Sequence, residues 1–506
     1  MAELPIAVHT AAQTRALDSA AINDFGIPGA TLMGRAGEAA FAALRRRWPE
    51  ARQIAVVCGG GNNGGDGFVV ALAAQAAGLS PTLYVHVPLA KLSGDAHDYA
   101  ARARDAGIDW QPVEDSLADI GSADVIVDAL LGTGLNGPVR DDYRALIEAM
   151  NAAPAPVLAI DVPSGLNADT GMSEGALVTA ALTATFIGVK QGLLTGQGPA
   201  VTGELVFDDL QVPQEVFASV EASARRTVAA DVAALLPPRR RDAHKGHFGH
   251  VLVIGGDHGY AGAVAMAAQA AIRAGAGLVS VATRAAHAHM VTTRQPEVMA
   301  RGVESVEDLL PLLDRATVVV IGPGLGRGHW GQALLRKVLA TDLARVIDAD
   351  GLNLLAEAGV KATQAATVLT PHPGEAARLL NTDTAAVQRD RFASARLLQE
   401  KWHATVLLKG AGTLVASAGE HALALVNAGN PGMASGGMGD VLSGVIGALL
   451  GQGLAPHDAA RIGAWLHATA ADDAVAEDGE RGLVATDLLP WIRRRLNRPG
   501  GNNGRC

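Results

Sequence analysis

Cysteine is nearly absent: the 506 residues contain two, Cys58 and Cys506. Two thiols exclude a disulfide framework and a cysteine-based zinc site, and they fit a reducing compartment. Aromatic residues are scarce, at 4%. The two short basic runs, Arg45–Arg47 and Arg239–Arg241, are not interleaved with them, and the formal charge is −10. That balance argues against nucleic acid as a partner, and the runs read as solvated surface or linker. No unbroken apolar stretch is long enough to span a bilayer. The first residues lack the basic segment and apolar core of a signal peptide. A soluble cytoplasmic protein with no membrane partner is the expectation. Three catalytic signatures are missing too. There is no G-x-x-x-x-G-K-[ST] loop, so any nucleotide chemistry is not of the P-loop type. There is no H-E-x-x-H, and Ser164 lies in Pro163-Ser164-Gly165-Leu166, which is not a nucleophile elbow.

Glycine is plentiful, at 60 residues, and 49% of the chain is apolar. The length exceeds what one hydrophobic core usually supports, so two domains are expected. Apolar runs and helical stretches alternate. Gln53–Cys58 reads as a buried strand, Gly59–Gly67 as a glycine-rich turn and Phe68–Ala77 as a helix. Pro81–Val87, Val125–Leu131 and Val157–Ile160 read as further strands, with helices at Asp95–Ala106 and Asp142–Asn151. The pattern weakens between Gln211 and Arg241, around Pro213 and the Pro237-Pro238 pair. It restarts with strands at His250–Ile254, Leu278–Ala282, Val318–Ile321, Arg345–Ile347, Thr367–Leu369 and Thr405–Lys409, and helices at Ala261–Ala274 and Asp440–Leu450. Both halves are therefore expected to be α/β, each a parallel sheet covered on two faces. The boundaries expected are residues 1–220, a junction at 221–243, residues 244–496 and a disordered tail at 497–506. Ala- and Gly-rich helices suit close subunit packing, so a homo-oligomer is expected.

Gly59, Gly61 and Gly64 form the pattern G-x-G-x-x-G between a strand and a helix. No acidic residue ends the next strand, which runs Tyr84-Val85-His86-Val87 into Pro88, so the usual ribose ligand of a dinucleotide site is missing. What remains is a phosphate-binding helix N-terminus bearing three polar side chains, Asn62, Asn63 and Asp66. Asp128, Asp161 and Ser164 fall at or beyond strand ends, the ligand-bearing edge of an open α/β sheet. Together with Asn63 they can offer oxygens to a monovalent or other hard cation. In the second half, Gly436-Gly437-Met438-Gly439 opens a helix whose amides can hold a phosphoryl group in transfer, with Asp440 placed to take a proton. Gly322–Gly326 and Thr370–Glu375 are further turns at strand ends. His372 there suits either substrate orientation or a local turn contact.

These motifs, in this order, make the chain resemble the bifunctional NAD(P)H-hydrate repair enzymes across nearly its whole length. Gly61–Gly67, Asp128–Gly134 and Asp161–Gly165 resemble the epimerase domain, a Rossmann-like three-layer α/β/α fold. Lys245-Gly246, Val253–Gly256, Gly322–Gly326, Thr370–Glu375, Lys409–Thr413 and Gly436–Asp440 resemble the dehydratase domain, a ribokinase-like α/β fold. The resemblance implies that Asn62, Asn63, Gly64, Gly65 and Asp66, with Gly132, Thr133, Gly134, Leu135, Asn136, Gly137 and Pro138, hold the hydrated dinucleotide, NADHX or NADPHX. Asp161 would face its reactive ring as the catalytic acid/base, and Asn63, Asp128 and Ser164 would bind K⁺. Ala263, Gly326, His372 and Asp440 would contact the hydrate in the second half. Lys409, Gly410, Ala411, Gly412, Thr413 and Gly439 would hold ADP with Mg²⁺, and Asp440 would be the catalytic base. Two positions depart from the pattern: Gly34, where an acidic residue is usual, and Asp257, where a serine is frequent. Both lie beside the motifs.

The implied repair has two parts. The first half interconverts the R and S hydrates, and the second dehydrates the S form with ADP, giving NAD(P)H, AMP and phosphate. Two other readings remain at this point. One is a ribokinase-like kinase of a vitamin-precursor alcohol such as a hydroxymethylpyrimidine or a thiazole. The other is a first domain that serves as a protein-interaction module.

Overall fold

The computed structural model describes residues 4–112, 119–135, 137–358, 365–419 and 422–499. The chain divides into two compact units, residues 1–225 and 226–506. Within the stretch expected as a junction, the strand Ala224–Arg226 pairs antiparallel with Ala7–His9, and Ala229–Leu235 is a helix.

The first unit is built on seven parallel strands, in the order Asp109–Pro112, Ser80–Val85, Gln53–Cys58, Val125–Ala129, Val157–Ile160, Leu182–Phe186 and Glu204–Asp208. Every residue of Val125–Ala129 and Val157–Ile160 is buried. That is the signature of parallel strands covered on both faces, and it is why these strands read as Val/Ile runs without alternation. Helices Gly29–Arg47 and Asn62–Ala76 cover one face through Phe68, Val70 and Leu44. Helix Asp141–Ala152 covers the other through Leu146, Ile147 and Met150. From Gln53–Cys58 the chain adds strands outward on one side, then returns to add Val125–Ala129 on the other. The crevice between these two strand ends is the switch point at which open α/β sheets bind ligands.

One expectation needs correction. Gly59–Gly67 is not a turn throughout, because the helix begins at Asn62. The glycines serve close packing instead of loop freedom. A Cβ on Gly67 would lie 2.6 Å from the Ala129 Cβ and 2.8 Å from the Cys58 Sγ, and one on Gly64 would lie 2.1 Å from the Gly59 carbonyl oxygen. Gly67→Ala should therefore cost about 1–3 kcal/mol through overpacking, read as a lower urea midpoint for this unit. An unchanged midpoint would show that the helix can retreat from the sheet without loss. Two strands are also shorter than expected: Ser80–Val85 ends before His86, and Val125–Ala129 ends before Leu130.

Among its described residues the second unit carries nine strands in the order Met299–Gly302, Leu278–Thr283, His250–Ile254, Val318–Ile321, Ala344–Ile347, Thr367–Leu369, Thr405–Leu408, Thr413–Ala416 and Leu423–Val426. The first seven are parallel and the last two antiparallel. Its switch point lies between His250–Ile254 and Val318–Ile321. There Gly256 donates to the Pro323 carbonyl at 3.0 Å, and a Cβ on Gly255 would stand 2.0 Å from that oxygen. Helices Ala261–Arg273 and Met438–Gly451 cross at very short range, since a Cβ on Gly444 would meet the Ala267 carbonyl oxygen at 2.1 Å. Among the described residues no helix is long and apolar enough to cross a membrane.

Candidate active sites

A cleft of about 720 Å³ opens at the first switch point. Asn62, Asn63 and Asp66 line it from the helix start, and Gly132, Thr133, Gly134, Leu135 and Pro138 from the turn after Val125–Ala129. Asp161 lines it from beyond Val157–Ile160. Gly64, Gly65 and Gly137 do not line it, and Asn136 lies outside the described residues. Asp161 adopts φ +67°, a left-handed conformation unusual for a non-glycine residue, and such strain concentrates at functional sites. Its carboxylate is fixed by the Lys190 ammonium and by the Thr185 hydroxyl, which donates at 3.2 Å. Lys190 is 1% exposed and also donates to Thr185 Oγ1 at 3.1 Å and the Phe186 carbonyl at 3.0 Å.

Two carboxyls face this pair. Asp66 is pushed well above the usual carboxylate range by burial, then by Asp161 and Asp18, with Lys190 opposing. Asp18, from helix Ala11–Asn23, is raised to about 6 by burial and by Asp161, against the pull of Lys190. The motifs pointed to neither Lys190 nor Asp18. Lys190 ends a two-residue strand, and Asp18 sits in a helix with no glycine turn near it.

Behind the cleft floor Asp128 and Ser164 are fully buried. Asp128 accepts from the Ser164 hydroxyl at 2.6 Å and the Ser164 amide at 2.8 Å, and burial raises its carboxyl to about 6. Asn63 donates to the Leu131 carbonyl at 3.1 Å, but its Oδ1 is buried without a partner. An orphaned buried acceptor costs about 1–3 kcal/mol. A cation beside it would satisfy that oxygen. The described residues hold no group of three His, Cys, Asp or Glu able to bind a metal, so the donor set here is neutral oxygens around one carboxylate. That composition suits a large monovalent ion better than a transition metal.

In the second unit Gly437 takes φ +92° and starts helix Met438–Gly451, whose first turn carries Asp440. Burial raises the Asp440 carboxyl to about 7, Asp348 adds to the rise, and Lys409 opposes it. The Lys409 ammonium donates to Asp348 Oδ1 at 2.8 Å, and Asp348 also accepts from the Thr370 hydroxyl at 2.8 Å. A Cβ on Gly439 would lie 3.2 Å from Lys409 Nζ and 3.5 Å from Asp348 Oδ2, so the helix start sits directly against this pair. Thus Lys409, Gly439 and Asp440 come together around Asp348, which the motifs did not single out. Asp348 follows the strand Ala344–Ile347 and carries the same strand-end signal as Asp161. The turn Lys409–Gly412 is held from below by buried Arg391, which donates to the carbonyls of Leu408, Lys409 and Gly412.

His372 makes the local contact of the two considered. Its Nδ1 accepts from the Gly374 amide at 3.0 Å while Glu375 accepts from the His372 amide at 2.9 Å, a capping box for helix Pro373–Leu380. Its ring is also 53% exposed, so it remains open to a ligand. Gly326 donates to Asp350 at 2.9 Å, and Ala263 packs on the same Gly322–Gly326 turn through Gly324.

Comparison with known proteins accounts for both units. Residues 29–192 match the family model described as YjeF-related protein N-terminus, and residues 251–494 match that of NAD(P)H-hydrate dehydratase. A bifunctional NAD(P)H-hydrate repair enzyme of Coxiella burnetii is 51% identical, over 96% of this chain and 98% of its own. One of Escherichia coli is 46% identical, over 98% and 95%. A solved ribokinase-like superfamily protein from Enterococcus faecalis superposes with a TM-score of 0.51 at 30% identity, covering 54% of this chain and 96% of its own.

Proposed function

Because the chain belongs to the bifunctional NAD(P)H-hydrate repair enzymes, we propose that its two switch-point sites divide the repair between residues 1–220 and residues 244–496. The first epimerises R- and S-NAD(P)HX, and the second dehydrates the S form at the expense of ADP. The observation that carries this reading is a half-buried aspartate near a lysine in a glycine-lined site of each unit: Asp161, paired with Lys190, and Asp440, beside the Lys409–Asp348 pair. A vitamin-precursor kinase would not need the first of these sites, and an interaction module would not need its buried polar set.

In the second unit Asp440 accepts the proton of the hydroxyl next to the ring nitrogen as that oxygen attacks the terminal phosphate of ADP. The Gly436–Gly439 amides face the transferred group. Lys409 to Thr413 and Gly439 hold the nucleotide, with Lys409 hydrogen-bonded to Asp348 beside it. Mg²⁺, when bound, neutralises charge on the phosphates. Phosphate then departs as the ring nitrogen lone pair forms an iminium, and the adjacent ring carbon gives up a proton, to the departing phosphate or to water, so that the carbon–carbon double bond of NAD(P)H forms and the lone pair returns to nitrogen. Only one epimer can bring its hydroxyl into line, which gives the first unit its purpose. There Asn63, Asp128 and Ser164 would hold K⁺, which would supply positive charge to the site. The glycine turns carry the dinucleotide, and Asp161 moves a proton while the carbon–oxygen bond breaks and re-forms.

The test follows reduced-nicotinamide absorbance on mixed NADHX epimers with Mg²⁺, K⁺ and ADP or ATP. Full recovery is expected. Recovery that halts when one epimer is exhausted would remove the role given to the first unit. Accumulation of a phosphorylated product in place of free phosphate would favour the kinase. Potassium should also raise the melting temperature of the first unit, as ligands of the native state do. Asn63→Ala should raise the potassium concentration for half-effect roughly tenfold, equivalent to ~1.4 kcal/mol. A melting temperature indifferent to potassium would remove the ion from this site.

A further inference from the structure

Epimerisation by loss and return of the hydroxyl needs two proton-handling groups, because the oxygen leaves from one face of the ring and water enters from the other. Asp161 can be only one of them. Its carboxylate is tied to Lys190 and Thr185, which fixes its position. Asp18 lines the same cleft from helix Ala11–Asn23, which lies outside the strand–helix alternation that carries Asp161. Among the described residues the Asp18 carboxyl makes no hydrogen bond, so it is free to bond a molecule held in the cleft that it lines.

Resting on the epimerase reading of this unit, we propose that Asp18 is its second acid–base residue, opposed to Asp161 across the bound nicotinamide ring. Protonated Asp18 gives its proton to the departing hydroxyl. The carbon–oxygen bond breaks with its electron pair on oxygen, water leaves, and the ring nitrogen lone pair fills the gap as an iminium. A second water adds to the same carbon from the other face, and Asp161 takes its proton as the nitrogen lone pair returns. One water leaves, one enters, and one proton passes from Asp18 to Asp161. The reverse epimerisation returns it, or solvent does so through the open cleft. The groups facing Asp18 are Lys190, Asp161 and Asp66. Burial among them holds Asp18 at about 6, where both of its forms are accessible near neutral pH.

The full chain decides this. In oxygen-18 water the wild type should place one solvent oxygen in the hydrate per epimerisation. Asp18→Asn should slow epimerisation by roughly 10²–10⁴-fold while nucleotide-dependent dehydration of purified S-NADHX stays at the wild-type rate. Asp18→Glu should restore much of the rate and displace the pH midpoint of kcat, which a merely structural carboxyl would not do. Epimerisation by the wild type without oxygen exchange overturns the proposal but leaves the epimerase reading intact, as does an Asp18→Asn variant within threefold of wild type. If Asp18→Asn does not fold, the pH midpoint of Asp18→Glu decides, and an unmoved midpoint overturns the proposal. No epimerisation by the wild type removes the reading and the proposal together.

Discussion

Asp440→Asn should lower nucleotide-dependent dehydration by roughly 10²–10⁴-fold, the range associated with loss of a positioned general base, and leave epimerisation untouched. The substitution keeps the shape of the helix start and removes only the proton acceptor. Asp440 must be ionised to act, and burial beside Asp348 raises its carboxyl to about 7. A base with a raised value is protonated and idle below it, so kcat/KM for dehydration should climb with pH through about 7 and level off above. Buried Glu375 is also pushed up to about 7, by burial and by Asp348 against Lys409, and stands near the same ammonium. If the residual activity of Asp440→Asn still rises through the same pH range, the limb belongs to Glu375. If the variant loses both activities while folded, the two units do not work independently and the division of labour proposed above fails.

How much of this was legible in the chain depends on what each residue does for the backbone. Strands buried on both faces announce themselves as Val/Ile runs, and the turns beyond them mark Asp128 and Asp161 as candidates by position, while Asp440 is marked by the glycine-dense helix start that it follows. Short strands at the sheet margins give no such signal. Asp109–Pro112, Glu204–Asp208, Thr413–Ala416 and Leu423–Val426 are four or five residues long and were not anticipated. The start of the helix at Asn62 is obscured because three of its first six residues are glycines, which oppose helix propensity by about 1 kcal/mol each. Tertiary packing against Ala129, Cys58 and Met33 overrides that cost. Lys190 and Arg391 are a different kind of omission. Long cations read as surface in a sequence, and only the fold reveals that both are buried, with Arg391 beneath the Lys409–Gly412 turn and Lys190 against the Asp161 carboxylate.

That buried ammonium leads to an asymmetry between two single substitutions. Asp161→Asn takes the ion-paired carboxylate from Lys190, 1% exposed, and leaves it neutral acceptors, the Thr185 hydroxyl, the Phe186 carbonyl and the substituted amide, with Asp18 and Asp66 facing it without a hydrogen bond to it. Stripping a buried charge of its counterion costs about 3–5 kcal/mol. Lys190→Met leaves Asp161 16% exposed at the cleft, where water and Thr185 can solvate it, so its cost should be smaller. The double variant Asp161→Asn with Lys190→Met has no unpaired charge and should recover most of the stability lost in Asp161→Asn. All three should lose epimerisation and keep dehydration of the S hydrate, because the second site is built from other residues. Urea melts of the full chain, read for the first unit, measure the cycle. Equal costs for the two single variants, or a double variant no more stable than Asp161→Asn, would mean that Lys190 is held by its two neutral partners and not by the carboxylate. The epimerase pair would then owe its geometry to the left-handed turn at Asp161 alone.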